Sequence, residues 1–178
     1  MPQLNKITVL GSGIMGHGIA QISAMNGYQV VLRDIEQRFL DSAMDKIKWS
    51  LNKLVEKNKI KEEESDKIYG RIKPIVDLKE ALIDTDLLIE AVPEDLNLKK
   101  KVYSEVDQFA EEKTVYASNT STLPISEISQ LTSRPDRFIG LHFFNPPQLM
   151  KLVEVIPGAR TEKSIVDLGI NLVKSFGK

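Results

Sequence analysis

Gly11-Ser12-Gly13-Ile14-Met15-Gly16-His17-Gly18 stands directly after the apolar run Ile7-Thr8-Val9-Leu10 and directly before a stretch with helical spacing. A glycine-rich turn between a strand and a helix brings bare backbone N–H groups against a pyrophosphate. In that reading Gly11 permits the tight turn, Gly13 removes the Cβ that would block the phosphates, and Gly16 lets helix and strand pack closely. Ile14 and Met15 open the helix, adding unpaired donors and the positive end of its dipole. Glycines cluster in many turns, so the motif needs its second half. Gln29-Val30-Val31-Leu32 is a second apolar run, and it ends at Arg33-Asp34. An acid about twenty residues past the glycines, at the tip of the second strand, is placed to accept both ribose hydroxyls of an adenosine. The Asp34 carboxylate would repel a 2′-phosphate, which favours NAD over NADP, while Arg33 beside it could hold that phosphate. The alternative is a βαβ unit with an ordinary turn and a surface aspartate.

Composition narrows the class. A chain of 178 residues suffices for one well-buried domain, here 1–178, and not for two. Its net charge of −1 supplies no field that draws it to nucleic acid or an anionic membrane. The absence of cysteine excludes disulfides and thiol catalysis, and with His17 and His142 as the two histidines no metal centre is expected. The polar start Met1-Pro2-Gln3-Leu4-Asn5-Lys6 leads into a strand, and no run reaches transmembrane length. Cytoplasm is the default expectation.

Past the first βαβ unit, Leu40, Ala43, Met44, Ile47, Leu51 and Leu54 recur at helical spacing and predict one long helix over 37–57. A second, charged helix over 61–69, ended by Gly70, makes a protruding helical hairpin with it. A short strand over 72–76, a helix beginning at Leu78 and a buried strand over 87–91 follow. Leu98, Val102, Val106 and Phe109 predict the apolar stripe of the next helix. Strands over 115–118 and 138–143 come next, and a last helix carries Ile165, Leu168, Leu172 and Phe176. Strands alternating with helices specify a Rossmann-type, doubly wound and mostly parallel sheet. Residues 152–156 follow the 138–143 strand too soon for a parallel crossover, so they form an antiparallel edge.

In such a sheet, ligands sit beyond the carboxyl ends of the strands. Glu94-Asp95, Asn119-Thr120-Ser121, His142 and Asn145 all fall there, converging on the crevice of the glycine turn. His142 has the residue type and position of a proton acceptor for alcohol oxidation. If the connecting loop is centred near Pro147–Gln148, Glu154 lies opposite His142 and can fix its tautomer. The alternative makes His142 a satisfied sheet histidine and Glu154 a surface residue. On the long helix, Lys46, Ser50, Lys53 and Lys57 share one face, a quarter turn from the apolar stripe. They form either an anion-holding face or a solvated one.

Ser118-Asn119-Thr120-Ser121-Thr122, the block Gly140-Leu141-His142-Phe143-Phe144-Asn145-Pro146-Pro147, Met150-Lys151-Leu152-Val153-Glu154, the glycine fingerprint and Ile89-Glu90-Ala91-Val92-Pro93-Glu94 together resemble the 3-hydroxyacyl-CoA dehydrogenase family over almost the whole chain. The resemblance implies NAD-dependent oxidation of an L-3-hydroxyacyl-CoA to the 3-ketoacyl-CoA. It implies His142 as general acid/base, Glu154 as its partner, Ser121 as a hydroxyl touching substrate and cofactor, and Asn145 on the nicotinamide side. Asp34 becomes the ribose acid, and Glu94 and Lys99 match positions near the cofactor, where the alternative is a loop acid and an exposed helix lysine. Ser50 and Lys57 match contacts to coenzyme A, and His17 is a bystander.

The family continues into an all-helical domain that supplies dimer contacts and one wall of the crevice. This sequence stops about where that domain would begin, so the resemblance makes it the cofactor-binding half of a homodimeric enzyme. Two alternatives stand beside it. One is a non-catalytic dinucleotide-binding or crystallin-like structural module, since a fold does not settle activity. The other is a dehydrogenase of the 6-phosphogluconate type, which the Leu-His-Phe-Phe-Asn-Pro block opposes.

Overall fold

In the computed structural model, which describes residues 4–178, seven strands form one sheet in the order β3-β2-β1-β4-β5-β6-β7. They are β1 (Lys6–Leu10), β2 (Gln29–Arg33), β3 (Ile72–Ile75), β4 (Leu87–Glu90), β5 (Val115–Ser118), β6 (Phe138–Phe143) and β7 (Val153–Pro157). The helices are α1 (Ile14–Met25), α2 (Gln37–Glu56), α3 (Glu62–Gly70), α4 (Leu78–Leu82), α5 (Leu96–Val106), α6 (Ile125–Ser129) and α7 (Lys163–Ser175). β1 to β6 pair in parallel, and β6 pairs antiparallel with β7. Chain order reverses between β1 and β4, and the crevice opens at that switch point.

The central strands are buried on both faces, as apolar runs such as Leu87-Leu88-Ile89 require. One core layer joins β1, β2 and β4 to α1, α2 and α7 through Ile7, Val9, Ile19, Leu32, Leu40, Ile47 and Leu168. The other face packs Leu88, Tyr116 and Phe138 against Tyr103 and Ile128. There Tyr103 meets Phe138 edge-on, with ring centroids 5.3 Å apart. Leu40, Ala43, Met44, Ile47 and Leu51 form the buried seam of α2, and the helix ends one residue before the predicted bound. Asp77 and Asp95 cap α4 and α5 by accepting from the Glu80 and Leu98 amides, which satisfies donors that have no partner in the first helical turn.

One stripe differs from expectation. The buried residues of α5 are Lys99, Tyr103 and Val106, while Leu98 and Val102 are half-buried and Phe109 lies beyond the helix, 43% exposed. The helix is rotated from its apolar register because a buried carboxylate on β4 draws Lys99 inward. The short helix α6, five residues long, carries too little periodicity to be legible in the sequence. Among the described residues no helix is long and apolar enough to cross a membrane.

Candidate active site

At the carboxyl edge of β1 and β4 lies a crevice of about 560 Å³, with Gly11, Gly13, Ile14, Met15 and Asp34 in its wall. Ile35, Phe39, Val92 and Leu98 give it an apolar side suited to a flat ring. Gly11 has φ +91°, and a Cβ there would lie 2.7 Å from the Ala91 carbonyl oxygen. A Cβ on Gly16 would stand 1.7 Å from the Gly11 carbonyl oxygen, so α1 crosses the turn at a separation only glycine permits. A Cβ on Gly13 would meet nothing within 4 Å. Gly13 caps α1 without a side-chain hydrogen bond, and no acid occupies the first turn. These amides therefore face a free, positively polarised space that fits the diphosphate of a dinucleotide.

Asp34 stands in the crevice wall just past the tip of β2. Its Oδ2 accepts from the Ser12 amide at 2.7 Å and the Ser12 hydroxyl at 2.6 Å, and Oδ1 accepts from the Ile35 amide at 2.7 Å. The neighbouring Arg33 donates through Nε to the Val76 carbonyl at 3.1 Å. His17, within the fingerprint, contacts the Gly13 carbonyl through Nδ1 at 2.6 Å. Burial, together with the nearby Lys46 charge, pushes its pKa down against that hydrogen bond.

The other polar residues lie on the same sheet edge. His142 and Glu154 are directly paired across β6 and β7, and His142 Nδ1 donates to Glu154 Oε2 at 2.7 Å. The midpoint of that register is Gln148, as the loop count required. The imidazole rests against Phe144, ring centroids 4.6 Å apart. With Nδ1 held by the carboxylate, Nε2 is the nitrogen left for proton transfer. The Phe143 amide donates to Asn119 Oδ1 at 2.9 Å, tying the loop after β5 to the histidine strand. Asn145 is exposed beyond β6 and precedes a cis peptide bond to Pro146.

Glu94 gathers the Ser121 loop. Its Oε1 accepts from the Thr120 hydroxyl, from the Ser121 amide at 3.1 Å, and from the Thr122 amide and hydroxyl at 3.2 and 3.0 Å. Partial burial pushes its pKa upward, but the Thr120 hydroxyl, the Lys99 charge and the Thr122 hydroxyl outweigh that and hold it at about 2. Lys99 is not the exposed helix lysine of the alternative reading. It is 1% exposed and lies beneath the rim, 2.6 Å from Glu90 and 3.2 Å from Glu94.

The proposed coenzyme A contacts spread along α2. Lys46 lines the dinucleotide crevice. Half-buried Ser50 accepts from Gln21 Nε2 at 3.0 Å, Lys53 is paired with Glu56 at 2.7 Å, and exposed Lys57 caps the helix. The stripe is thus not a uniform set of free cations. Sequence reasoning assigned no role to Glu90, Tyr103 or Ser118, which surround Lys99. The available signal was a glutamate ending the run Leu87-Leu88-Ile89, because a carboxylate in a buried strand demands partners. No cluster of metal-ligating side chains occurs among the described residues.

Residues 6–178 match the family model described as 3-hydroxyacyl-CoA dehydrogenase, NAD binding domain. The chain belongs to this family. It is 42% identical over 173 residues to the 3-hydroxybutyryl-CoA dehydrogenase of Clostridioides difficile, a match covering 97% of this chain and 61% of that protein. Against the human mitochondrial hydroxyacyl-coenzyme A dehydrogenase it is 40% identical over 177 residues, covering 97% of this chain and 56% of the relative. The solved (S)-3-hydroxybutyryl-CoA dehydrogenase of Ralstonia eutropha superposes with a TM-score of 0.96 at 36% identity, covering 99% of this chain and 62% of that one. The chain thus spans somewhat over half the length of these relatives. Its Rossmann-type fold and NAD as the cofactor follow from the family.

Proposed function

We propose that this chain is the cofactor-binding and proton-transfer half of an NAD-dependent L-3-hydroxyacyl-CoA dehydrogenase. The observation that carries the reading is the His142–Glu154 pair, 2.7 Å apart, on the sheet edge that holds the dinucleotide crevice. NAD supplies the hydride acceptor when bound. His142 Nε2 takes the C3 hydroxyl proton of the substrate, and in the reverse direction returns it to the ketone. Glu154 fixes the Nδ1–H tautomer and stabilises the imidazolium that proton uptake creates. Ser121 and Asn145 orient the reacting carbon and the nicotinamide side, while Gly11, Gly13, Ile14, Met15, Gly16, Asp34, Glu94 and Lys99 form or support the cofactor site. Ser50 and Lys57 hold the coenzyme A portion, and in the whole protein a helical domain closes the crevice and pairs two copies.

The test is NADH oxidation driven by acetoacetyl-CoA, measured on this chain and on one extended to the length of its relatives. In the active form, His142→Gln lowers turnover by roughly 10²–10⁴-fold and leaves NADH affinity unchanged. Turnover within tenfold of the parent refutes the assignment. Dinucleotide binding with no acyl-CoA-dependent oxidation in either form favours the structural-module reading instead.

A further inference from the structure

Beneath the loops that carry Glu94 and Ser121 lies a carboxylate the proposed reaction does not use. Glu90 is the last residue of β4 and is 0% exposed. A buried carboxylate is strongly unfavourable unless it is paired and hydrogen-bonded, and Glu90 has four donors. Its Oε1 takes Lys99 Nζ at 2.6 Å and the Val92 amide at 2.9 Å. Its Oε2 takes the Ser118 hydroxyl at 2.7 Å and the Tyr103 hydroxyl at 3.2 Å. Burial and the adjoining Glu90 charge both raise the Tyr103 pKa, so that phenol stays a donor.

Each partner leads outward. Lys99 also reaches Glu94 Oε2 at 3.2 Å, so one ammonium is clamped between a carboxylate in the core and another at the crevice rim. Glu94 in turn holds the amides of Ser121 and Thr122. By a second route, the Ser118 hydroxyl that donates to Glu90 accepts from the Thr120 amide at 3.3 Å. The Val92 amide carries the same anchor into the loop that lines the crevice. Three segments that must agree in position therefore converge on one carboxylate: the turn after β4, the first turns of α5 and the loop after β5.

We infer that Glu90 is a positioning residue: acting chiefly through Lys99, it sets the place of Glu94 and the 120–122 loop, and with them the Ser121 hydroxyl. The inference rests on the role proposed for Ser121. Stability alone does not call for this arrangement, because well-packed neutral side chains usually replace a buried ion pair without loss, whereas removing one partner leaves a stranded charge. That asymmetry separates a scaffold role from a positioning role.

Four chains are compared: the parent, Glu90→Gln, Lys99→Met and the double variant E90Q/K99M. Thermal melting reports stability, and amide hydrogen exchange by NMR reports Ser121 and Thr122 against strand amides such as Leu88 and Ala117. Each single variant melts lower than the parent, and the double variant returns to within about 4 °C of it. Despite that recovery, the Ser121 and Thr122 amides of the double variant exchange at least about tenfold faster while Leu88 and Ala117 keep parental protection. Lys99→Arg, which can still bridge the two carboxylates, retains slow exchange at both loop amides. Parental exchange at Ser121 and Thr122 in the double variant overturns the inference, and so does acceleration spread evenly over loop and strands. If the double variant fails to fold, Glu90→Asp, one methylene shorter and still charged, is read by the same two outcomes. Exchange rates need no acyl-CoA chemistry, so absence of oxidation in both this chain and its extended form would sink the proposed function without deciding this result.

Discussion

Replacing Glu94 with glutamine removes one charge from the rim of the crevice while keeping its size. In the folded chain, burial works against the Glu94 carboxylate, but the Thr120 hydroxyl, the Lys99 ammonium and the Thr122 hydroxyl win and hold its pKa at about 2, below the ordinary 4.5. A carboxyl group with a depressed folded pKa stabilises the protein above its unfolded value, and that contribution fades as pH falls from about 4.5 toward 2. Linkage puts the full gap at about 3 kcal/mol. The side chain is 34% exposed, and solvent screening reduces the figure to about 1–2 kcal/mol. Somewhat more than half of it is gone by about pH 3. Urea unfolding followed by circular dichroism at pH 7 and pH 3, on the parent and on Glu94→Gln, measures this directly. The parent exceeds the variant by about 1–2 kcal/mol at pH 7 and by less than half of that at pH 3. A gap that stays constant, or widens in acid, refutes the account of how Glu94 is held.

Two further substitutions probe the ends of the site. Gly16→Ala sets a methyl group 1.7 Å from the Gly11 carbonyl oxygen, so α1 must retreat from the turn. Melting reports a loss of about 1–3 kcal/mol, NADH titration reports weaker binding, and parental values in both contradict the close-approach argument. Lys57→Glu reverses the charge at the end of α2 and raises the KM for acetoacetyl-CoA while leaving the NADH dissociation constant unchanged. Equal effects on both ligands remove Lys57 from the proposed coenzyme A contacts.

The dinucleotide half of the site was legible because its chemistry is written in backbone requirements. Gly11 makes the tight turn and Gly16 the close approach that their spacing demands, Asp34 stands in the crevice wall at the tip of β2, and the short link between β6 and β7 gives the antiparallel pairing of His142 and Glu154. The face of α5 was not legible in the same way. Counting apolar residues selects Leu98, Val102, Val106 and Phe109, whereas the helix buries Lys99, Tyr103 and Val106. A periodicity rule treats lysine as surface, and it fails where a carboxylate on the preceding strand makes burial of an ammonium favourable. The α2 stripe shows a different limit. Helical spacing puts Lys46, Ser50, Lys53 and Lys57 on one face, where Lys53 pairs with Glu56 and Ser50 accepts from Gln21. Spacing places side chains on a face without saying which neighbour takes them.

On β6 and β7 the polar pair is flanked by oily ones: Leu141 stands opposite Val155, and Phe143 opposite Val153. Strand side chains alternate and β6 is fixed by its pairing with β5, so a one-residue slip of β7 would turn Val153 and Val155 off the face they share with Leu141 and Phe143. The alignment of imidazole and carboxylate is therefore policed by the hydrocarbon pairs on either side of it. A lengthened or shortened 144–152 connection should bulge before it lets the two strands slide, and the dyad would outlast changes in the loop that joins it.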